Sequence, residues 1–302
     1  MKFPRLLKQG DRVRIIAPSG RLPTNESLRK AIQTLEDWGL TMEIAQHVWD
    51  NKGVFAASDE KRLKDFQEAL DDTNIDLILC ARGGYGLTRI IDDLNIENFV
   101  HYPKWVVGYS DITAFLQKSY QKGIGAIHGP MGTSFGREGS EESINALKNL
   151  LFNGASSICT NSKQLKPGKA TGQLVGGNLA MVCDSLSTHS ELATDNKILV
   201  LEDIGEPYYR VDRMLVQLKR TGKLSNLAGL VIGNFSSMSE GEIPFGETVM
   251  EMIKRLTEEF DYPIAIEMPI GHEPANFPFV YGAEYVLEVS ADGAVLEINT
   301  KL

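Results

Sequence analysis

A serine at a strand-to-helix turn is the residue of this sequence best placed to act as a nucleophile. The apolar run 105–107 predicts a buried strand, residues 108–111 predict a sharp turn, and an apolar-periodic helix follows from Ile112. Such a nucleophile elbow lifts Ser110 off the end of a parallel sheet and directs the Asp111 N–H towards a developing oxyanion. The alternative is that Ser110 only caps the helix. The common G-x-S-x-G pattern also has a glycine where this chain has Ile112.

Two further polar residues follow apolar runs and could complete a hydrolytic triad with Ser110. Glu202 follows the run 198–201, and His272 follows the run 264–270. Ligands of open α/β sheets bind at the carboxyl ends of the strands, so these positions predict one site, in the cleft between domains. His272 would take the serine proton, and Glu202 would fix the imidazole tautomer. A structural histidine and an interdomain salt bridge are the alternatives for these two residues.

The segments that must position these residues alternate between strand-length apolar runs and helix-period stretches. This βαβ rhythm predicts an α/β fold of two domains: an N-terminal parallel-sheet domain over 1–156 that carries the elbow, and a smaller C-terminal α/β domain over 172–302. Residues 157–171, which contain Ser, Lys, Pro and Gly, are predicted to be the linker. A helix is expected over 87–94, and a closing β-hairpin is expected to turn at 292–293.

Composition excludes several classes of protein. The 302 residues are 42% hydrophobic with a net charge of −9, and no Lys/Arg run is long enough to follow nucleic-acid phosphates. No apolar stretch reaches signal-peptide or membrane-spanning length, so we expect a cytoplasmic protein that binds neither membrane nor nucleic acid. Cys80, Cys159 and Cys183 are expected to be reduced core thiols. The five histidines lack metal-ligand spacing, so neither metal nor cofactor is expected.

Five spaced motifs make the sequence similar to the LD-carboxypeptidase family over nearly its whole length. In chain order they are Ala-Arg-Gly-Gly-Tyr-Gly at 81–86, Gly-Tyr-Ser-Asp-Ile-Thr at 108–113, Leu-Glu-Asp-Ile-Gly-Glu-Pro at 201–207, Tyr-Arg-Val-Asp-Arg-Met at 209–214 and Gly-His at 271–272. The resemblance implies a cytoplasmic serine peptidase that removes the terminal D-alanine of murein tetrapeptides in peptidoglycan recycling. It also implies a homodimer and a triad of Ser110, Glu202 and His272.

Within this resemblance, other residues gain candidate roles. The second oxyanion donor would be a backbone N–H of the Gly-rich loop, residues 83–86, and we choose the N–H of Gly84. The alternative is that these glycines only form a tight turn. Arg82 would bind the terminal carboxylate of the peptide, or pair with a carboxylate such as Asp111 and order the elbow. Glu206 suits the ammonium of diaminopimelate, or caps the following helix. Asn178 would contact the substrate backbone, or act as an N-cap.

Three other functions stay open at this point. The sequence also resembles the microcin C self-immunity peptidases, which share the triad pattern and split a peptidyl-aminoacyl-nucleotide. An acidic residue such as Glu206 is poorly suited to the phosphoramidate of that substrate. A noncatalytic peptide-binding protein would use Ser110 and His272 as contacts only. A nucleotide-binding loop at 82–86 is the weakest alternative, because the segment matches neither G-x-x-x-x-G-K-[ST] nor a full G-x-G-x-x-G.

Overall fold

The computed structural model describes the chain from Met1 to Leu302. The strands are β1 Arg12–Ile16, β2 Thr41–Ile44, β3 Leu77–Cys80, β4 Trp105–Gly108, β5 Ala126–His128, β6 Ser157–Thr160, β7 Gly168–Asn178, β8 Lys197–Ile204, β9 Gly229–Ser236, β10 Ile264–Ala265, β11 Phe279–Tyr281, β12 Glu284–Val289 and β13 Ala294–Ile298. The α-helices are α1 Arg29–Asp37, α2 Asp59–Asp71, α3 Glu97–His101, α4 Thr113–Gln121, α5 Glu141–Asn153, α6 Leu179–Asp184, α7 Tyr208–Arg220 and α8 Val249–Thr257. None of the eight α-helices could span a membrane.

The chain divides into two compact units, each built on its own sheet. Unit 1 comprises Met1–Ser156, Pro274–Gly282 and Lys301–Leu302. Unit 2 comprises Ser157–Glu273 and Ala283–Thr300. Strands alternate with helices through most of both units, which confirms the α/β class predicted from the βαβ rhythm.

Unit 1 contains a six-stranded sheet with the strand order β11-β5-β4-β3-β1-β2. Every neighbouring pair is parallel except β11 with β5. β3 and β4 are buried along their whole length, as expected for central strands of a sheet covered on both faces. The parallel arrangement brings the carboxyl ends of β1, β3 and β4 to the same edge of the sheet, so the loops that follow these strands meet there.

Unit 2 contains a seven-stranded sheet with the order β10-β9-β8-β7-β12-β13-β6. The pairs from β10 to β7 are parallel, and the pairs from β7 to β6 are antiparallel. The predicted closing hairpin is confirmed, because β12 and β13 pair with Val289 opposite Ala294. β7 joins the two halves of this sheet, since it pairs with β8 on one side and with β12 on the other.

The prediction that residues 157–171 form a linker is wrong. They include β6 and the beginning of β7, and both strands belong to the sheet of unit 2. β6 is the edge strand, and only one of its four residues is buried, so its polar composition reflects solvent on one face. Residues 274–282 also depart from the prediction, because they leave unit 2 and add β11 to the sheet of unit 1.

Two smaller expectations also need correction. The helix expected over 87–94 is a single 3-10 turn at Leu87–Arg89 followed by irregular turns. Its apolar spacing reflects burial of Leu87, Ile90 and Leu94 without a regular helix. All three cysteines are free thiols, but only two are buried; Cys159 is exposed on the edge strand β6.

Candidate active site

Ser110 lies in a strained turn between β4 and α4. Gly108 ends the strand, Tyr109 is extended, and Ser110 has a φ of 62°, a left-handed value that few residues other than glycine adopt. A 3-10 turn runs from Ser110 to Ile112, and α4 continues from Thr113. Non-glycine residues held at such values cluster in functional turns. The local backbone therefore has the strand, sharp turn and helix of a nucleophile elbow.

Two glycines provide the space for this turn. A Cβ placed on Gly108 would lie 2.8 Å from Cγ2 of Ile112. A Cβ placed on Gly83 would lie 3.0 Å from the Ser110 Cβ and 3.2 Å from its Oγ. The Gly-rich loop after β3 thus brings its backbone directly against the serine side chain. Sequence reasoning chose Gly84 from this loop and missed Gly83, because the identity of the glycine facing the serine depends on the path of the loop.

The loop after β1 holds the Gly-rich loop from its other side. Gly20 donates its N–H to the Gly83 carbonyl at 2.9 Å. A Cβ on Gly84 would lie 3.2 Å from the Gly20 Cα, and Gly84 has a φ of 106°. Glycine is therefore required at position 84 by both the conformation and the close approach of the backbones. The assignment of the Gly84 N–H as an oxyanion donor stays a prediction.

The Asp111 side chain connects the elbow to the end of the Gly-rich loop. Its carboxylate is buried, and Oδ2 accepts a hydrogen bond from the Leu87 N–H at 2.9 Å. The sequence suggested Arg82 as a possible partner of this carboxylate and did not indicate the contact with Leu87. Burial, with the Asp111 charge as a second cause, raises the pKa of the Cys80 thiol at the end of β3. Cys80 is consequently a neutral thiol and not a competing nucleophile.

Arg82 also links the loops that follow β1 and β3. Its Nη1 donates to the Arg21 carbonyl at 2.8 Å, and the residue is half-buried. A guanidinium has five N–H donors in a planar fork, so one bond to a carbonyl leaves it with further donor capacity. The carboxylate-binding role given to Arg82 from the sequence stays a prediction.

Unit 2 brings together the two residues predicted as base and orienting carboxylate. His272 Nδ1 and Glu202 Oε2 are 2.7 Å apart. The Glu202 side chain is fully buried, whereas 12% of the His272 side chain is exposed. A carboxylate bonded to Nδ1 selects the tautomer in which Nε2 carries the basic lone pair. The pair therefore has the geometry required to activate a nucleophile through Nε2.

The sequence around Glu202 is adapted to hold its carboxylate. The register between β8 and β9 shifts between Leu201 and Asp203, and such bulges redirect side chains at strand ends. A Cβ on Gly271 would lie 3.1 Å from Oε2 of Glu202, and a Cβ on Gly233 would lie 3.2 Å from its Cβ. Glycine at both positions leaves room for the carboxylate and for the imidazole that follows Gly271.

Asp203 is a second buried carboxylate beside Glu202. It accepts hydrogen bonds from the Ile204 N–H at 2.8 Å, the Ala180 N–H at 3.0 Å and Asn178 Nδ2 at 2.9 Å. Burial raises the pKa of Asp203 to about 6, and the charge of Glu202 adds to the effect, while the hydrogen bonds oppose it. Two of its donors lie at the start of α6, so Asp203 anchors that helix to β8. The adjacent acidic pair at a strand end was the only signal of this role in the sequence.

The structure distinguishes the alternatives for Asn178 and Glu206. Asn178 is the N-cap of α6, and its side chain accepts a hydrogen bond from the Met181 N–H at 3.2 Å, which confirms the capping alternative. Glu206 does not cap α7, because Pro207 occupies the N-cap position. The Glu206 carboxylate lies 3.4 Å from Arg210 Nη1, and 19% of its side chain is exposed.

Comparison with known proteins identifies the family of this chain. The LD-carboxypeptidase N-terminal domain matches residues 13–129, and the LD-carboxypeptidase C-terminal domain matches residues 171–287. A probable murein peptide carboxypeptidase from Bacillus subtilis is 33% identical, with 97% of this chain and 94% of that protein covered. The chain belongs to the LD-carboxypeptidase family.

Two solved structures are similar over almost the whole fold. Muramoyltetrapeptide carboxypeptidase from Oxalobacter formigenes is 30% identical, with a TM-score of 0.87 and coverage of 96% of this chain and 99% of that one. An MccF-like protein from Bacillus anthracis is 25% identical, with a TM-score of 0.89 and full coverage of both chains. These similarities confirm the two-domain α/β fold that the sequence motifs implied.

Proposed function

We propose that this chain is a serine LD-carboxypeptidase. It would hydrolyse the amide bond between an L-configured centre, diaminopimelate or lysine, and the terminal D-alanine of murein tetrapeptides. The observation that carries the proposal is the 2.7 Å contact between Glu202 and His272, the two residues chosen from the sequence as partners of Ser110. The names of the Bacillus subtilis and Oxalobacter formigenes relatives support the substrate class.

In the proposed mechanism, Ser110 attacks the amide carbonyl while His272 Nε2 takes the serine proton. Glu202 fixes the imidazole tautomer and stabilises the imidazolium that forms. His272 then protonates the amine of the leaving D-alanine. Water hydrolyses the acyl-enzyme in a second step that uses the same base. The N–H groups of Asp111 and Gly84 would stabilise the oxyanion in both steps.

Arg82 and Glu206 are the proposed specificity residues. Arg82 would bind the terminal carboxylate through guanidinium donors other than the one that contacts Arg21. The Glu206 carboxylate pairs with Arg210 at a long distance of 3.4 Å. Because this contact is long, the carboxylate can still attract the ammonium of diaminopimelate. Asn178 stands opposite Glu202 in the register of β7 and β8, and we assign its capping side chain a supporting role beside the triad carboxylate.

The biological setting belongs to the same proposal. Family resemblance supports action on the disaccharide-tetrapeptide or the free tetrapeptide in the cytoplasm, during peptidoglycan recycling, by a homodimer. The proposed chemistry uses side chains, backbone N–H groups and water. No group of three or more His, Cys, Asp or Glu side chains is arranged to hold a metal ion.

A microcin C-type self-immunity activity is the second candidate. The similarity to the MccF-like protein, with a TM-score of 0.89, favours it. Such an enzyme would cleave a peptidyl-aminoacyl-nucleotide with the same serine, histidine and glutamate. Glu206 argues for the murein substrate, because a carboxylate would repel the negatively charged phosphoramidate.

Release of D-alanine from disaccharide-tetrapeptide and from L-Ala-γ-D-Glu-meso-diaminopimelate-D-Ala tests the proposal. Wild type and Ser187→Ala should release it, whereas Ser110→Ala should lose roughly 10⁶-fold in kcat. Ser187 is a matched control because its φ of 64° resembles the 62° of Ser110. Cleavage of a peptidyl-aminoacyl-adenylate analogue without D-alanine release would favour the second candidate. Binding of the tetrapeptide without any cleavage would mean a noncatalytic protein.

A further inference from the structure

Arg62 is a buried cation in the first turn of α2, and it contacts two loops of unit 1. Its side chain is fully buried. Nη1 donates to the Pro18 carbonyl and, at 2.9 Å, to the Gly86 carbonyl. Pro18 lies in the loop after β1, and Gly86 ends the Gly-rich loop after β3. One guanidinium nitrogen therefore joins the loops that follow two neighbouring strands of the sheet.

These two loops also meet beside the proposed nucleophile. Gly20 donates its N–H to the Gly83 carbonyl at 2.9 Å. A Cβ on Gly83 would lie 3.2 Å from Ser110 Oγ. The two acceptors of Arg62 are close to this contact along the chain, one shortly before Gly20 and one shortly after Gly83. Arg62 thus restrains both chain segments whose contact sets the position of the loop at Ser110.

The surroundings of Arg62 restrict its orientation. Nη2 donates to Asp59 Oδ1 at 2.5 Å, and the other oxygen of Asp59 accepts two hydrogen bonds from Arg89, at 2.9 and 2.6 Å. The Phe55 ring lies 5.2 Å from the Arg62 guanidinium and 4.9 Å from that of Arg89. A Cβ on Gly86 would lie 2.8 Å from the Phe55 ring and 3.1 Å from Arg62 Nη1. The loop backbone therefore packs directly on this cluster.

We propose that Arg62 is a positioning residue that fixes the Gly-rich loop, residues 83–86, so that its backbone N–H groups meet the developing oxyanion. The inference rests on the proposed function. Donors stabilise an oxyanion most when they are held in place before the reaction, because reorganisation of a loose loop would offset the gain. Since these donors act on charge that develops in the transition state, loss of Arg62 lowers kcat and leaves KM nearly unchanged.

The test compares Arg62→Met and Arg62→Lys with Lys104→Met in the D-alanine release assay. Lys104 is a matched control, because it is a buried cation that donates to main-chain carbonyls at the other end of α2. Arg62→Met should lower kcat about 10- to 100-fold, below the roughly 10²- to 10³-fold cost of removing an oxyanion donor, with KM within about threefold. Arg62→Lys should recover part of the loss, since it keeps the charge without the planar fork. Lys104→Met should lower the melting temperature and keep kcat.

Two results would overturn the inference: an unchanged kcat in folded Arg62→Met, or an equal fall in kcat in Lys104→Met. If Arg62→Met does not fold, kcat and KM are measured for Arg62→Lys and Asp59→Asn instead. A lowered kcat with nearly unchanged KM supports the inference, and an unchanged kcat in both variants overturns it. If wild type releases no D-alanine, the proposed function fails, and the same variants are compared by the rate at which a fluorophosphonate labels Ser110. A lower labelling rate in the Arg62 and Asp59 variants alone then supports the inference. Equal labelling rates in these variants, Lys104→Met and wild type overturn it.

Discussion

The end of β4 and the end of β8 each position a residue of the proposed triad, but by different means. Ser110 is placed by its backbone, with a φ of 62° and a glycine backbone packed against its side chain. Glu202 is placed by its side chain, which is fully buried and lies 2.7 Å from His272. The nucleophile should therefore be most sensitive to added volume in neighbouring glycines, and the base should be most sensitive to the hydrogen-bonding chemistry of its carboxylate.

The largest effect that separates the two regions is expected for Glu202→Gln. The amide keeps the shape of the side chain, but it can present an N–H to Nδ1 and favour the wrong imidazole tautomer. We expect kcat to fall about 10⁴-fold, the size seen when the acid of a serine-protease triad becomes its amide. Glu288→Gln, an exposed glutamate in the same unit, should keep full activity. A loss smaller than about tenfold in Glu202→Gln would mean that the contact with His272 is structural.

A smaller but still large effect is expected for Gly83→Ala. The new methyl group would lie 3.2 Å from Ser110 Oγ, so the loop or the serine must shift at the point of attack. We expect kcat for D-alanine release to fall about 10²-fold, comparable with the loss of one oxyanion donor. Gly241→Ala is the control, because the nearest atom to its added Cβ is a carbonyl oxygen 3.6 Å away. Activity of Gly83→Ala within threefold of wild type would contradict the role given to the loop.

The smallest effect concerns Asp203 and is a change in stability with pH. The folded-state pKa is about 6, whereas an unfolded aspartate has a pKa of about 3.9. Between about pH 3.9 and about pH 6 the folded protein keeps a proton on Asp203 that the unfolded chain releases. Rising pH therefore lowers the free energy of unfolding. Relative to Asp203→Asn, wild type should lose up to about 3 kcal/mol between pH 4 and pH 7. Urea unfolding of both proteins at each pH measures this difference, and parallel profiles would show that Asp203 has the same pKa in the folded and unfolded states.

Sequence reasoning was most successful where the signals lie within a short stretch of chain. The strand, sharp turn and helix around Ser110 are contiguous, so local patterns predicted the turn that the structure shows. The Glu202–His272 contact joins distant positions, yet Glu202 lies near the end of β8 and His272 comes after β10, and both strands belong to the parallel part of the sheet of unit 2. The rule that ligands gather at the carboxyl ends of such strands was sufficient to choose them.

The features that sequence reasoning missed depend on contacts between segments far apart in the chain. Gly83 faces Ser110, and Asp111 bonds to the Leu87 N–H, only because the loops after β3 and β4 meet. β11 joins the sheet of unit 1 from near the end of the chain, and its short apolar run does not reveal which sheet it enters. Polar edge strands such as β6 look like linkers, since little of their surface is buried.

The proposed triad requires that the reactivity of Ser110 depend on His272. A fluorophosphonate probe, followed by peptide mass spectrometry, should give an adduct on Ser110 in the wild-type protein. The rate of labelling should fall at least about 10²-fold in folded His272→Ala, because general-base assistance typically contributes about 10²- to 10⁴-fold. Absence of an adduct on Ser110, or an equal rate of labelling in His272→Ala, would contradict the proposed triad.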